Sequence, residues 1–261
     1  MIPVYSISKP FLAEAILSLG LPLDAPVGTW LKELPEVFGS RLIGELLNHT
    51  SGLDDYSQLA AYGAAVDARE PAWSRSELLQ RAQQLPHLRQ GFHYSNIGYL
   101  LLRMLLEAQT GETYFASLEQ LVFGPLGIKN FTEWENIGAF DSGPLVNYDP
   151  KWVYSGTFLC DPDQIAPAMA KLADRRRQTI GHAAGWVPVP YPNTGFDEPG
   201  YGYGFMGPRD HSVVGHGGGG PGYGLMVLGV PGTEKFSLEY TEGDGFDQTA
   251  AILRMRAQLG V

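Results

Sequence analysis

The chain of 261 residues carries a single cysteine, Cys160. One thiol cannot close an internal disulfide, so an apolar core must hold the fold, and a hydrophobic content of 44% supplies one. Cys160 itself reads as a core residue. No apolar run approaches the roughly 18 residues of a membrane-spanning helix, so no membrane partner is expected. Charge is scarce at 18%, and the basic side is short: 18 Lys and Arg stand against 28 Asp and Glu, a net charge of −10. A surface of that sign repels phosphate backbones and argues against nucleic acid as a partner. Residues 1–10 lack the basic and apolar regions of a secretory leader, which makes a cytoplasmic location the expectation. The histidines at 49, 87, 93, 182, 211 and 216 show no His-x-x-x-His spacing, and no Cys-x-x-Cys exists. Neither a metal site nor a cofactor is expected.

Glycine and proline, by contrast, are plentiful, at 33 and 19 residues. The texture changes along the chain, from helical periodicity in the first 125 residues to Gly, Pro and aromatic punctuation after about residue 138. A helix should begin near Ser6, run through Ile16 and Leu17, and end at Gly20 and Pro22. Further helical periodicity covers 42–47, 74–85 before Pro86, and 96–110 before Gly111. Residues 224–230 and 235–240 read as two strands of a hairpin about Pro231-Gly232. The stretch 247–259 is again helical, with Asp247 as its cap. The fold class implied is α+β. A mostly helical lobe spans 10–175, and an antiparallel sheet region with a C-terminal helix is built from 1–9 and 176–261.

Three clusters could carry chemistry. Ser6 and Lys9 lie three apart at a helix start, so one turn brings the amine to the hydroxyl, and a base beside a serine makes it a nucleophile. An N-cap serine with a solvated lysine is the alternative. Tyr94 and Asn96 stand at the entrance of the helix over 96–110, where a phenol and an amide can face one cleft as proton shuttle and carbonyl partner; Asn96 as a helix cap with a core tyrosine is the plainer choice. His216, Gly217, Gly218 and Gly219 belong to a run that lets a backbone approach a ligand closely and point amides at an oxyanion, though a bare turn fits as well. The run lacks the Gly-Lys-Ser/Thr ending of a phosphate loop, and no serine occupies Gly-x-Ser-x-Gly.

Taken together and in this order, Ser-x-x-Lys, Tyr-x-Asn and His-x-Gly resemble the three motifs of the serine β-lactamase-like and penicillin-binding family, in its class C β-lactamase, D-aminopeptidase and carboxylesterase branch. Residues 46–56 (LLNHTSGLDDY) are similar to that family's Leu-Leu-x-His-x-Ser-Gly-Leu signature, and 17–27, 91–111 and 123–128 resemble its neighbouring segments. The resemblance runs from about residue 4 to 230. It implies a β-lactamase/transpeptidase-like fold, an acyl-enzyme mechanism and small ester, amide or lactam substrates. Ser6 would be nucleophile, Lys9 general base and Tyr94 proton shuttle. Asn96 would bond the substrate carbonyl or Lys9, and the amides of Ser6 and Gly219 would form the oxyanion hole. His216 stands where β-lactamases of this branch carry lysine. A mostly neutral imidazole there favours uncharged esters or amides over anionic β-lactams, so esterase-like hydrolysis is the first expectation. A β-lactamase, a D-amino-acid peptidase or transacylase, and a non-catalytic binding module are the alternatives.

Other features take structural roles. Residues 49–52 should form a buried turn bracing the helical lobe, with little chance of touching substrate. Arg175, Arg176 and Arg177 read as a solvated patch near a domain boundary. Tyr201, Tyr203 and Phe205 either line an apolar pocket or serve the core. Relatives ordinarily carry a helix and two or three strands before the serine motif, where this chain has five residues. A sheet reduced in that way would have an open edge, which motivates the expectation of a homodimer.

Overall fold

The computed structural model describes residues 1–87, 89–181, 184–192, 194–243 and 245–261; His182 lies outside the described residues. The fold is α+β. Nine strands are described: β1 (Ile2–Pro3), β2 (Phe131–Thr132), β3 (Leu159–Cys160), β4 (Val187–Pro188), β5 (Pro199–Gly202), β6 (Phe205–Pro208), β7 (Val214–Gly220), β8 (Tyr223–Gly229) and β9 (Phe236–Glu242). The last six form one antiparallel sheet in chain order, and β1-β3-β2 make a smaller one. The helices are α1 (Ser8–Ser18), α2 (Glu36–Gly39), α3 (Ile43–Leu47), α4 (Ala60–Asp67), α5 (Arg75–Ala82), α6 (Asn96–Thr110), α7 (Tyr114–Leu118), α8 (Gly124–Leu126), α9 (Pro162–Thr179) and α10 (Gln248–Leu259).

Local chemistry explains the clearest elements. The Ser95 side chain accepts from Gly98 N to cap α6, and Gly111 ends the helix in the left-handed conformation at φ 72°. Asp247 caps α10 by accepting from Ala250 N. β8 is buried along its whole length, and its side chains alternate between two cores. Leu225 and Val227 join the main cluster, which extends from Ile2 through α1 and α6. Met226 and Leu228 face a smaller one with Val213, Ala251, Ile252 and Met255, where α10 covers the sheet.

Three expectations are corrected. The chain enters α1 through a 3-10 turn over Tyr5–Ile7, so the α-helix starts at Ser8 and not at Ser6. The tighter turn has three residues per revolution and stacks Lys9 directly over Ser6. The glycine run from His216 is neither loop nor bare turn but the middle and end of β7, paired with β8 from Val214↔Gly229 to Gly220↔Tyr223. Glycine is a weak strand former, and here the neighbouring apolar strand imposes the conformation. The Arg175-Arg176-Arg177 run is not a solvated patch. Helical spacing turns Arg176 inward to 2% exposure, where its Nε donates to Glu14 Oε2 at 3.0 Å while Arg175 Nε donates to Glu14 Oε1 at 2.8 Å. Only Arg177 of the three turns to solvent, paired with Asp174 on its own helix. Cys160 is fully buried, as expected.

Candidate active site

The Ser6 turn is clamped from three sides. Tyr5 N donates to Thr157 Oγ1 at 3.0 Å, Tyr5 Oη donates to Pro221 O at 2.6 Å, and Ser8 Oγ donates to Gly156 O at 2.7 Å. These bonds hold Tyr5 at φ 44°, a left-handed conformation that costs a non-glycine residue of order 1 kcal/mol or more. The third side is β7. A Cβ on Gly218 would stand 2.6 Å from the Val4 carbonyl oxygen, so only glycine lets the strand lie against this turn. The glycines thus serve the protein's own backbone first, and the strand lies beside Ser6 as a result.

Lys9 is completely buried and has three polar neighbours. Its Nζ lies 3.0 Å from Ser6 Oγ, 2.7 Å from Asn96 Oδ1 and 3.3 Å from Ser155 Oγ. Burial drives its pKa down to about 7, against the opposing pull of Asp55. The Nζ also sits 5.2 Å from the Tyr94 ring centre and 5.3 Å from that of Tyr99. Burial pushes the Tyr94 phenol well above its ordinary pKa, and the Ser6 hydroxyl beside it pulls partly the other way. The phenol therefore stays protonated near neutrality, and Lys9 is the group able to change charge there.

A turn over residues 49–55 positions Tyr94 and Asn96. Ser95 N donates to His49 Nδ1 at 3.1 Å, Ser95 Oγ to Asp54 O at 3.1 Å, and Asn96 N to Asp55 Oδ2 at 2.5 Å. The His49 ring stacks 4.3 Å from that of Tyr94, so the turn braces the tyrosine directly. With Nδ1 accepting, His49 is the neutral Nε2–H tautomer, and burial and Lys9 hold its pKa well below the ordinary value.

His216 is buried on β7. Its Nδ1–H donates to Gly217 O, and its Nε2 lies 3.1 Å from the Tyr201 hydroxyl. Burial first and Lys9 second push its pKa down to about 3, so it brings no positive charge to the site. Tyr201 shares the wall of a cavity of about 510 Å³ with Ser6, Tyr94 and the β7 segment 216–220. Tyr203 and Phe205 do not line that cavity; Phe205 packs under the Arg176 guanidinium at 5.5 Å, in the core.

The structure thus gathers Ser6, Lys9, Tyr94, Asn96, His216, Gly217, Gly218 and Gly219 around one cavity or against its lysine. Sequence reasoning missed Asp55, which anchors Asn96, and Ser155. The pair Asp54-Asp55 inside 46–56 was a signal for the first. Ser155 has only a following glycine to mark it. Phe92, Tyr191, Phe196 and Phe246, which furnish most of the remaining aromatic wall, carried no signal either. Among the described residues, no group of three His, Cys, Asp or Glu side chains could hold a metal, and no helix is long and apolar enough to cross a membrane.

An α+β fold with a serine one turn from a buried lysine, beside a tyrosine and a glycine-rich strand, has the form of the β-lactamase-like serine hydrolases. The family model described as Beta-lactamase matches residues 1–259, and the chain belongs to that family. Among curated relatives, penicillin-binding protein 4* of Bacillus subtilis (strain 168) is 32% identical over 131 residues, 47% of this chain and 28% of the relative. D-aminopeptidase of Brucella anthropi is 29% identical over 144 residues, 53% and 27% of the two chains. The matched stretches therefore span little more than a quarter of either relative. Among solved structures, a D-stereospecific amidohydrolase from Streptomyces sp. superposes with a TM-score of 0.82 at 24% identity, over 100% of this chain and 87% of the other.

Proposed function

We propose that the protein is a hydrolase that forms an acyl-enzyme on Ser6, acting on small esters or amides. The observation that carries this reading is the fully buried Lys9 amine, 3.0 Å from Ser6 Oγ at the floor of an aromatic cavity. The neutral amine takes the Ser6 proton while Oγ bonds to the substrate carbonyl carbon. The resulting oxyanion lies against the amides of Ser6 and Gly219. Collapse breaks the bond to the alcohol or amine, which leaves with a proton returned by Lys9 through Tyr94. Water then attacks the acyl-enzyme by the same route and frees the acid. Asn96 holds Lys9 throughout.

The neutral His216 supports uncharged esters and amides over β-lactams, whose carboxylate finds no cation at this position. A second reading, hydrolysis of D-amino-acid amides, is favoured by the names of the D-aminopeptidase and the D-stereospecific amidohydrolase that this chain resembles. Offering p-nitrophenyl butyrate, a D-amino-acid amide and nitrocefin side by side separates the readings, and intact-protein mass after each exposure reports the retained acyl group. Full activity of Ser6→Ala on every substrate would sink the acyl-enzyme. A cytoplasmic homodimer completes the proposal, its contact placed on the outer edge of β9, which no described strand pairs. One monomer mass by light scattering across a wide concentration range would remove the dimer.

A further inference from the structure

Ser155 is 2% exposed and lies in an irregular segment, yet its hydroxyl is aimed at Lys9. The aim is set by the residues around it. Gly156 carries φ 96°, and a Cβ there would stand 2.5 Å from the Tyr114 ring, so the chain turns sharply at a position only glycine can fill. From that turn onward the segment is stapled to the serine turn, through Gly156 O to Ser8, Thr157 Oγ1 to Tyr5 N, and Phe158 O to Val4 N at 3.1 Å. The Ser155 side chain is thereby registered against the lysine, its Oγ 3.3 Å from Nζ.

A neutral lysine amine has two hydrogens and one lone pair. To accept a proton from Ser6 it must turn the lone pair toward Oγ, which requires acceptors for both hydrogens elsewhere. Asn96 Oδ1 at 2.7 Å takes one, and Ser155 Oγ at 3.3 Å is the other within reach. Resting on the reading of Ser6 as nucleophile and Lys9 as base, we propose that Ser155 is a positioning residue: with Asn96 it fixes the rotation of the Lys9 amine so that its lone pair meets the Ser6 proton.

Ser155→Ala removes one acceptor and no packing atom beyond the oxygen. Acylation is measured as the rate of fluorophosphonate labelling and as kcat and KM on p-nitrophenyl butyrate, from pH 5 to 10, with unfolding temperature recorded alongside. The expected result is a fall of about 5- to 20-fold in labelling rate and kcat with KM within a factor of two, the scale of one lost hydrogen bond. The acidic limb should move to lower pH, because the ammonium loses an acceptor that favoured it. Ser155→Thr, which restores the hydroxyl, should return the limb toward its original position. Ser155→Cys, close in volume and a poor acceptor, answers the same question if the alanine variant does not fold. Unchanged rate and limb in Ser155→Ala, with Ser6→Ala unlabelled, would overturn the role of Ser155 while leaving the nucleophile standing. Labelling that persists in Ser6→Ala would instead overturn the reading beneath it.

Discussion

Among the described residues two cations are buried, Lys9 on α1 and Arg176 on α9, and they are held in opposite ways. Arg176 is locked to the Glu14 carboxylate on α1, with Arg175 sharing the same group. Lys9, five residues earlier on the same helix, meets two hydroxyls and one amide oxygen, and the carboxylate whose field reaches it, Asp55, is spent on the backbone amides of Asn96 and Ser57. A buried charge opposite a carboxylate stays charged and is structural. Surrounded by neutral acceptors, a buried amine pays for desolvation by giving up its proton more easily, which is what a base near pH 7 requires. The choice of acceptor, not the depth of burial, separates the two.

The largest effect expected from breaking this contrast is on chemistry. Lys9→Met should lower kcat/KM on p-nitrophenyl butyrate by roughly 10³-fold or more while raising the unfolding temperature at pH 7, since it removes a buried amine of depressed pKa and keeps its volume. The same depression has a thermodynamic sign. Between about pH 7 and the ordinary lysine value the unfolded chain binds the extra proton, so the Lys9 contribution to stability should grow as pH rises through that window, and the rise should vanish in Lys9→Met. At the other cation, Glu14→Gln leaves Arg176 buried and unpaired and should cost about 3 kcal/mol in urea unfolding, with the pH profile of the surviving activity unchanged. Asn96→Asp sharpens the comparison by placing a carboxylate on Lys9, and the acidic limb of kcat/KM should rise by about one pH unit or more. Least of all, Arg177→Ala, whose partner Asp174 is solvent-exposed, should change stability by no more than about 0.5 kcal/mol.

Where local rules decide the outcome, the sequence was readable. α6 stops where Gly111 says it should, although its cap is Ser95 and not the neighbouring Asn96, and the β8–β9 hairpin and the Asp247 cap follow turn and capping chemistry. Ser6 with Lys9 and Tyr94 with Asn96 are short-range patterns, so their pairing on the same side of a turn could be expected before any coordinates. The hidden parts depend on register between distant segments. Ser155 reaches Lys9 only because residues 156–158 bond to residues 4–8, and a small polar residue in an irregular stretch announces nothing of that. α9 opens on Pro162 and contains Pro167, so its periodicity is interrupted, and with it the inward turn of Arg176 passed unnoticed. The β7 glycines deceived for a related reason: strand propensity describes an isolated segment, whereas Gly218 is required by the Val4 carbonyl across from it.

The fastening of residues 2–8 bears on how the molecule fails when heated. Ile2 and Pro3 pair with Cys160 and Leu159, and each link onward to Ser8 ends in the main core or on the central sheet. Among the described residues, the Ser6 turn is thus fastened on both sides of the hydroxyl that the proposed function makes the nucleophile. If the proposed hydrolysis is right, loss of activity and melting should coincide on a thermal ramp, since the Ser6 turn would come apart only with the fold around it.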